Sequence, residues 1–157
     1  MTGLRRKDKE IRDREEIEEI LREALVGRLG TCVDSQPYVV PLSYVYHENR
    51  IIFHGAKVGK KLDDIARNPR VCFEVDINEI LPTDGPCDYS FRYRSVITNG
   101  TACLIKDPEE KIRALKILVE KYAQGKGSRI PTDLTSVDNL AVVEIALEDM
   151  VGKRSPA

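Results

Sequence analysis

Tryptophan is absent, histidine occurs only at His47 and His54, and the four cysteines stand apart from one another. Cys32, Cys72, Cys87 and Cys103 form no Cys-x-x-Cys pair, so the short ligand spacing of a structural zinc site is missing. A disulfide framework is not expected, because the charged N-terminus does not read as an export signal. The thiols are expected to be free, and buried or half-buried. No apolar run approaches the roughly 18 residues of a membrane span. An excess of one charge is also missing: Lys and Arg number 25, Asp and Glu 26, and the net charge is −1. That balance argues against a nucleic-acid binder, which is usually basic overall. GxxxxGK[ST], GxGxxG and GxSxG do not occur. Their absence removes a P-loop, a dinucleotide fold and a nucleophile elbow from consideration. A cytoplasmic protein that does not enter a membrane is the expectation.

The 157 residues suit one domain, and 41% hydrophobic with 32% charged residues excludes wholesale disorder. Residues 1–12 read as a mixed-charge arm, 13–150 as the domain and 151–157 as a tail. Asp13 with Glu16 forms a capping-box pattern, and Ile17, Ile20, Leu21 and Ala24 share a helical face. A helix is predicted over 14–23. Strands follow at 29–33, 38–46 and 50–54, with turns at Asp34-Ser35-Gln36-Pro37 and His47-Glu48-Asn49. Pro41 demands a sheet edge or a bulge, because proline has no N–H to donate. A short helix is predicted over 60–67, stopped by Asn68-Pro69. Strands are predicted over 70–76 and 89–105, with a long loop over 77–88 and, at Asn99-Gly100, a bulge in preference to a tight hairpin. Asp107-Pro108-Glu109-Glu110 is a strong helix start, and that helix runs to about 123. A polar loop over 124–137 and a strand over 140–147 complete the chain. Strands joined by turns rather than helical crossovers imply a mainly β fold with peripheral helices, a six-stranded antiparallel barrel.

Three segments could carry chemistry. From Arg50 to Arg70 six basic residues face two acidic ones, a net of +4, while Glu74 to Asp88 carries a net of −5. The first of these segments holds a strand end at His54, then Gly55, Gly59 and the pair Lys60-Lys61 opening a helix. Helix N–H groups plus two ammonium groups suit a phosphate. The alternative is a helix with two exposed lysines. His54 either faces a cofactor or substrate, or is a strand-end histidine bonded to the backbone. Arg92 and Arg94 alternate on one strand face, which suits an anion or a salt bridge to the acidic segment.

Taken in order, RRKDKEI, GRLGTCVDSQPYVVPLSYVY, IIFHGAKVGKKLDDIARNPRVCFEVD and YRSVITNGTA resemble the pyridoxamine-phosphate-oxidase-like flavin-binding split-barrel family. The likeness is greatest to its nitroimidazole-resistance (Nim-type) branch and spans about residues 4–147. The resemblance implies a homodimeric split β-barrel binding FMN in clefts where the subunits meet, and a small-molecule substrate. It implies that the flavin ring lies against Val40, Pro41, Leu42, Ser43 and Tyr44 and beside Phe53, His54 and Gly55. It implies that Lys60 and Lys61 meet the phosphate, and that Arg94 and Ser95 reach the flavin, often from the partner. His54 is the catalytic candidate that the resemblance implies. The resemblance points to an FMN-dependent oxidoreductase, or alternatively to a flavin- or haem-binding carrier or sensor; deazaflavin binders also belong to the family. The vitamin B6 oxidases of the family resemble one another in a C-terminal segment rich in Arg, His and Trp. The end EDMVGKRSPA lacks that pattern, so vitamin B6 oxidation is not expected.

Overall fold

The computed structural model describes residues 5–81, 90–123, 137 and 139–155. A 3-10 turn at Lys7–Lys9 leads into β1 (Glu10–Ile11) and α1 (Arg14–Glu23). Asp13 caps α1 by accepting from the Glu15 N–H at 3.0 Å. Glu16 turns instead to Arg154, 2.6 Å away, so the expected reciprocal half of the capping box is replaced by a tertiary ion pair. Ile17, Ile20, Leu21 and Ala24 form the buried face that the periodicity predicts. Four strands follow: β2 (Gly27–Val33), β3 (Gln36–Leu42), β4 (Tyr44–His47) and β5 (Arg50–Ala56). Then come α2 (Lys60–Arg67), β6 (Arg70–Leu81), β7 (Ser90–Leu104), α3 (Pro108–Ala123) and β8 (Leu140–Arg154). Asp107 starts α3 by accepting from the Glu110 N–H at 2.8 Å.

All described pairings are antiparallel, in the order β3-β2-β6-β7-β8-β5-β4, with β1 added alongside β8. The two ends of this path, β3 and β4, are consecutive in the chain and joined by Ser43 alone. The sheet therefore curls until its ends meet at one residue, without a ladder between them among the described residues. That is a barrel split along one seam. Pro41 sits on the edge strand β3, where its missing N–H costs no ladder bond. The register shifts between Asn99 and Gly100, which is the expected bulge.

Several expectations are corrected. Eight strands replace six, because the arm contributes β1 and the run 38–46 divides at Ser43. β6 continues through Leu81, so 77–81 of the expected loop are strand, and 82–88 lie outside the described residues. β8 runs on to Arg154 through most of the segment read as a tail, and Gly152 and Lys153 pair with Ile11 and Glu10. The expected loop 124–137 also lies outside the described residues, apart from the buried Val137. Cys32, Cys72 and Cys103 are free but exposed rather than buried; Cys32 and Cys72 stand on the outer sheet face, between inward-pointing neighbours. Cys87 lies outside the described residues.

The inner faces of the strands close on Leu29, Tyr44, Phe53, Phe73, Val75, Val96 and Ile145, all at most 1% exposed, together with the apolar faces of α1 and α2. α1 leads into the start of β2, and α2 meets its other end through Asp64 and Thr31. α3 lies outside the barrel, over β4, β5 and β8, where Ala114, Leu115 and Leu118 cover Val45, Ile52 and Val142.

Candidate functional site

The seam at Ser43 gathers most of the residues singled out in the sequence. Tyr44 pairs with Phe53, so Ser43 and His54 are the next positions outward on the two strands. Tyr44 and Phe53 are fully buried: their rings belong to the core, and only their backbones can border a site. The Tyr44 hydroxyl donates to the Leu21 carbonyl at 2.7 Å, and burial raises its pKa far above the ordinary tyrosine value. Val40 and Leu42 are half-buried against the same core, while Pro41 and Ser43 are exposed. His54 is exposed on the outer side of β5, the side that Ile52 also takes, opposite Val142. Gly55 faces the other way, toward Lys61.

The two lysines are not equivalent. Lys60 Nζ lies 2.9 and 3.0 Å from the two oxygens of the buried Asp64, one turn along α2. Asp64 also accepts from Thr31 Oγ1 at 2.7 Å, and Lys60 first, then Thr31, hold its carboxyl below the ordinary pKa. The Lys60 ammonium is further seated over the Tyr38 ring, 5.2 Å from its centroid. Lys61 is half-buried and has no carboxylate partner among the described residues. Its Nζ lies where it would meet a Cβ on Gly55 at 3.0 Å, so the absence of a side chain at 55 makes room for the ammonium. α2 begins at Gly59, whose φ of +139° suits glycine, and no side chain caps this start. The first N–H groups of α2 therefore stay open beside Lys61, an arrangement that favours an anion.

Arg94 and Ser95 are not brought to this corner within the chain. They pair with Arg154 and Lys153 on β8, whereas the opposite end of β7 pairs Leu104 with Val143, near Gly55. The strand between Arg94 and Leu104 spans roughly 33 Å. Arg94 reaches Glu23 at 2.8 Å, and Arg92 reaches Glu79 at 3.3 Å. Only the second of these contacts is the salt bridge to the acidic segment considered from sequence.

Sequence reading overlooked Lys121 and Tyr122 at the end of α3. The Tyr122 hydroxyl donates toward the Leu25 and Tyr44 carbonyls (2.7 and 2.8 Å) and accepts from the Tyr44 N–H at 2.9 Å, which clamps α3 to the seam. Lys121 Nζ donates to the Ala24 carbonyl at 2.7 Å and stands 3.9 Å from the Tyr44 ring centroid. Burial lowers its pKa to about 8. The helical pattern marks both residues as part of α3, but nothing local says that they meet Tyr44. Asp64 carried a usable signal, since it stands four residues after Lys60 on a helix.

Comparison with known proteins places this architecture. A family model described as pyridoxamine 5'-phosphate oxidase matches residues 13–154. An uncharacterized protein of Rhizobium meliloti (strain 1021) is 32% identical over 154 residues, covering 94% of this chain and 95% of its own. Among solved structures, a candidate 5-nitroimidazole antibiotic resistance protein of Bacteroides thetaiotaomicron matches with a TM-score of 0.81 at 28% identity, over 92% of this chain and 86% of that one. An FAD-binding protein of Mesorhizobium loti matches with a TM-score of 0.67 at 25% identity, over 92% and 96% of the two chains. With the family model spanning nearly the whole described barrel, from the α1 cap to the last residue of β8, the chain belongs to the pyridoxamine 5'-phosphate oxidase family.

Proposed function

We propose that this chain binds FMN as a cytoplasmic homodimer and reduces a small electron-accepting substrate, a nitro or quinone-like compound. One observation carries the reading: a half-buried ammonium, Lys61, lies over Gly55 at the uncapped start of α2, without a carboxylate partner among the described residues. A flavin phosphate is an anion of the size and charge that such a corner accommodates. The relatives described as FAD-binding and as a candidate nitroimidazole-resistance protein support a flavin and this substrate class.

In this reading Lys61 and the first N–H groups of α2 hold the phosphate, and Lys60 keeps α2 in place through Asp64. Val40, Pro41, Leu42, Ser43 and Tyr44, with Phe53, His54 and Gly55, border the ring along the seam. Arg94 and Ser95, remote from the seam in their own chain, serve the partner's site. His54, exposed beside Ser43, holds or delivers a proton at its imidazole as the substrate is reduced. Bound FMN supplies the hydride and electron transfer that no side chain here provides.

The test is a visible spectrum of protein purified without added cofactor, followed by titration with FMN. Flavin absorption or saturable uptake is expected; a colourless protein that takes up no FMN overturns the reading. His54→Ala is expected to retain flavin and to slow turnover of a nitroaromatic acceptor. Unchanged turnover would leave His54 a surface residue of β5.

A further inference from the structure

A concavity lies where α2 faces the end of β7 and the start of β8. Its volume is about 700 Å3, and none of the residues assigned to the flavin lines it. Leu62, Ala66, Leu104, Ile105, Leu140 and Val143 make its walls, and no aromatic side chain is among the lining residues. Lys57, from the β5–α2 link, Lys106, after β7, and Lys111, in the first turn of α3, converge on it from three elements. Asp63 is the one acidic residue among the described lining residues. Lys57 and Lys106 have no carboxylate partner among the described residues, and Lys111 donates only to the Leu140 carbonyl, at 3.4 Å. We propose that this lysine-bordered aliphatic groove binds an amphipathic anion, an alkyl-chain carboxylate.

The size is that of small-molecule sites, roughly 300–1,000 Å3. Aliphatic walls give an alkyl chain a dry surface, and each methylene buried there adds to affinity. Without an aromatic platform, a planar ring gains no stacking here. Three ammonium groups against one carboxylate select a negative head over a neutral or positive one. The inference does not depend on the flavin reading, because the two sites share no lining residue.

Calorimetric titration of the full chain, with whatever flavin it carries, tests this with decanoate, decanol and decyltrimethylammonium, each below its micelle concentration. Decanoate is expected to bind saturably, decanol more weakly and the cation not at all. Lys57→Gln with Lys106→Gln should weaken decanoate about tenfold, as expected for two exposed charge contacts, while decanol binding is unchanged. Ala66→Phe, on the exposed side of α2, should fill the groove and abolish binding with the flavin spectrum retained. No saturable decanoate binding, equal binding of the cation, or an unchanged affinity in the lysine variant overturns the proposal. Displacement of decanoate by FMN, or loss of flavin in the lysine variant, also overturns it, since the groove would then belong to the flavin site. The flavin reading fails separately, by absence of FMN uptake in the wild-type chain.

Discussion

Lys60 and Lys61 are neighbours in sequence with identical side chains, yet their surroundings give them different work. Lys60 neutralises a buried carboxylate, and Lys61 has none among the described residues. Lys61→Ala is expected to weaken FMN binding by about 10-fold or more, the worth of one partly desolvated charge contact. Lys60→Met should leave FMN affinity nearly as it was and lower the Tm at neutral pH. The sign follows from Asp64: its pKa is held low in the folded chain, so its stabilisation is present above the ordinary carboxylate range and fades as pH falls. Removing Lys60 should therefore narrow the gap between neutral and acid stability. Lys121 has the same sign in a more alkaline window. Burial lowers its pKa to about 8, below the unfolded value of about 10.4, so the unfolded chain holds the extra proton between the two. Stability contributed by this group should rise across that window, and Lys121→Met should remove the rise in urea midpoints.

At the level of elements, two joints decide the geometry. The first is the clamp of α3 on the seam. Tyr122→Phe removes a hydroxyl that serves two carbonyls and the Tyr44 N–H, and is expected to cost about 1–3 kcal/mol in urea unfolding. The second is the bulge in β7. A Cβ on Gly100 would overlap the Ala146 carbonyl and lie 2.7 Å from Ile145 Cγ2, so Gly100→Ala should cost ~1–3 kcal/mol. The Asn-Gly pair announced this bulge in the sequence, as Asp13 and Asp107 announced their helices. Element ends were less legible. β6 gains Ile77–Leu81 and β8 gains 148–154 because each pairs with β7, and a polar, acidic stretch gives no local sign of a partner strand. Ser43 shows the same effect: YVVPLSYVY reads as one strand, but its halves lie at opposite ends of the sheet path.

At the scale of the whole molecule, one face of the sheet carries exposed apolar side chains among the described residues. Val39, Cys72 and Ile97 are exposed on the outside of β3, β6 and β7, with Gly30 between Val39 and Cys72 in register. An apolar outer face of this kind suits a second copy of the chain. A dimer is expected by sedimentation, and Val39→Lys with Ile97→Lys is expected to give monomers with diminished flavin uptake. A wild-type chain that sediments as a monomer would remove the role given to Arg94 and Ser95 in the partner's site.

Local rules were enough for the helices, the turns, the edge placement of Pro41 and the antiparallel barrel class, because capping, periodicity and missing N–H groups act within a few residues of where they are written. The ordered motifs were enough to indicate the family. Only the tertiary structure separated Lys60 from Lys61, turned Tyr44 and Phe53 into core, set His54 and Gly55 on opposite faces, and carried Arg94 to the far end of β7 from Lys61. Each of those outcomes depends on which distant strand or helix supplies a partner, and a partner's identity is settled by packing the whole chain rather than by its neighbours in sequence.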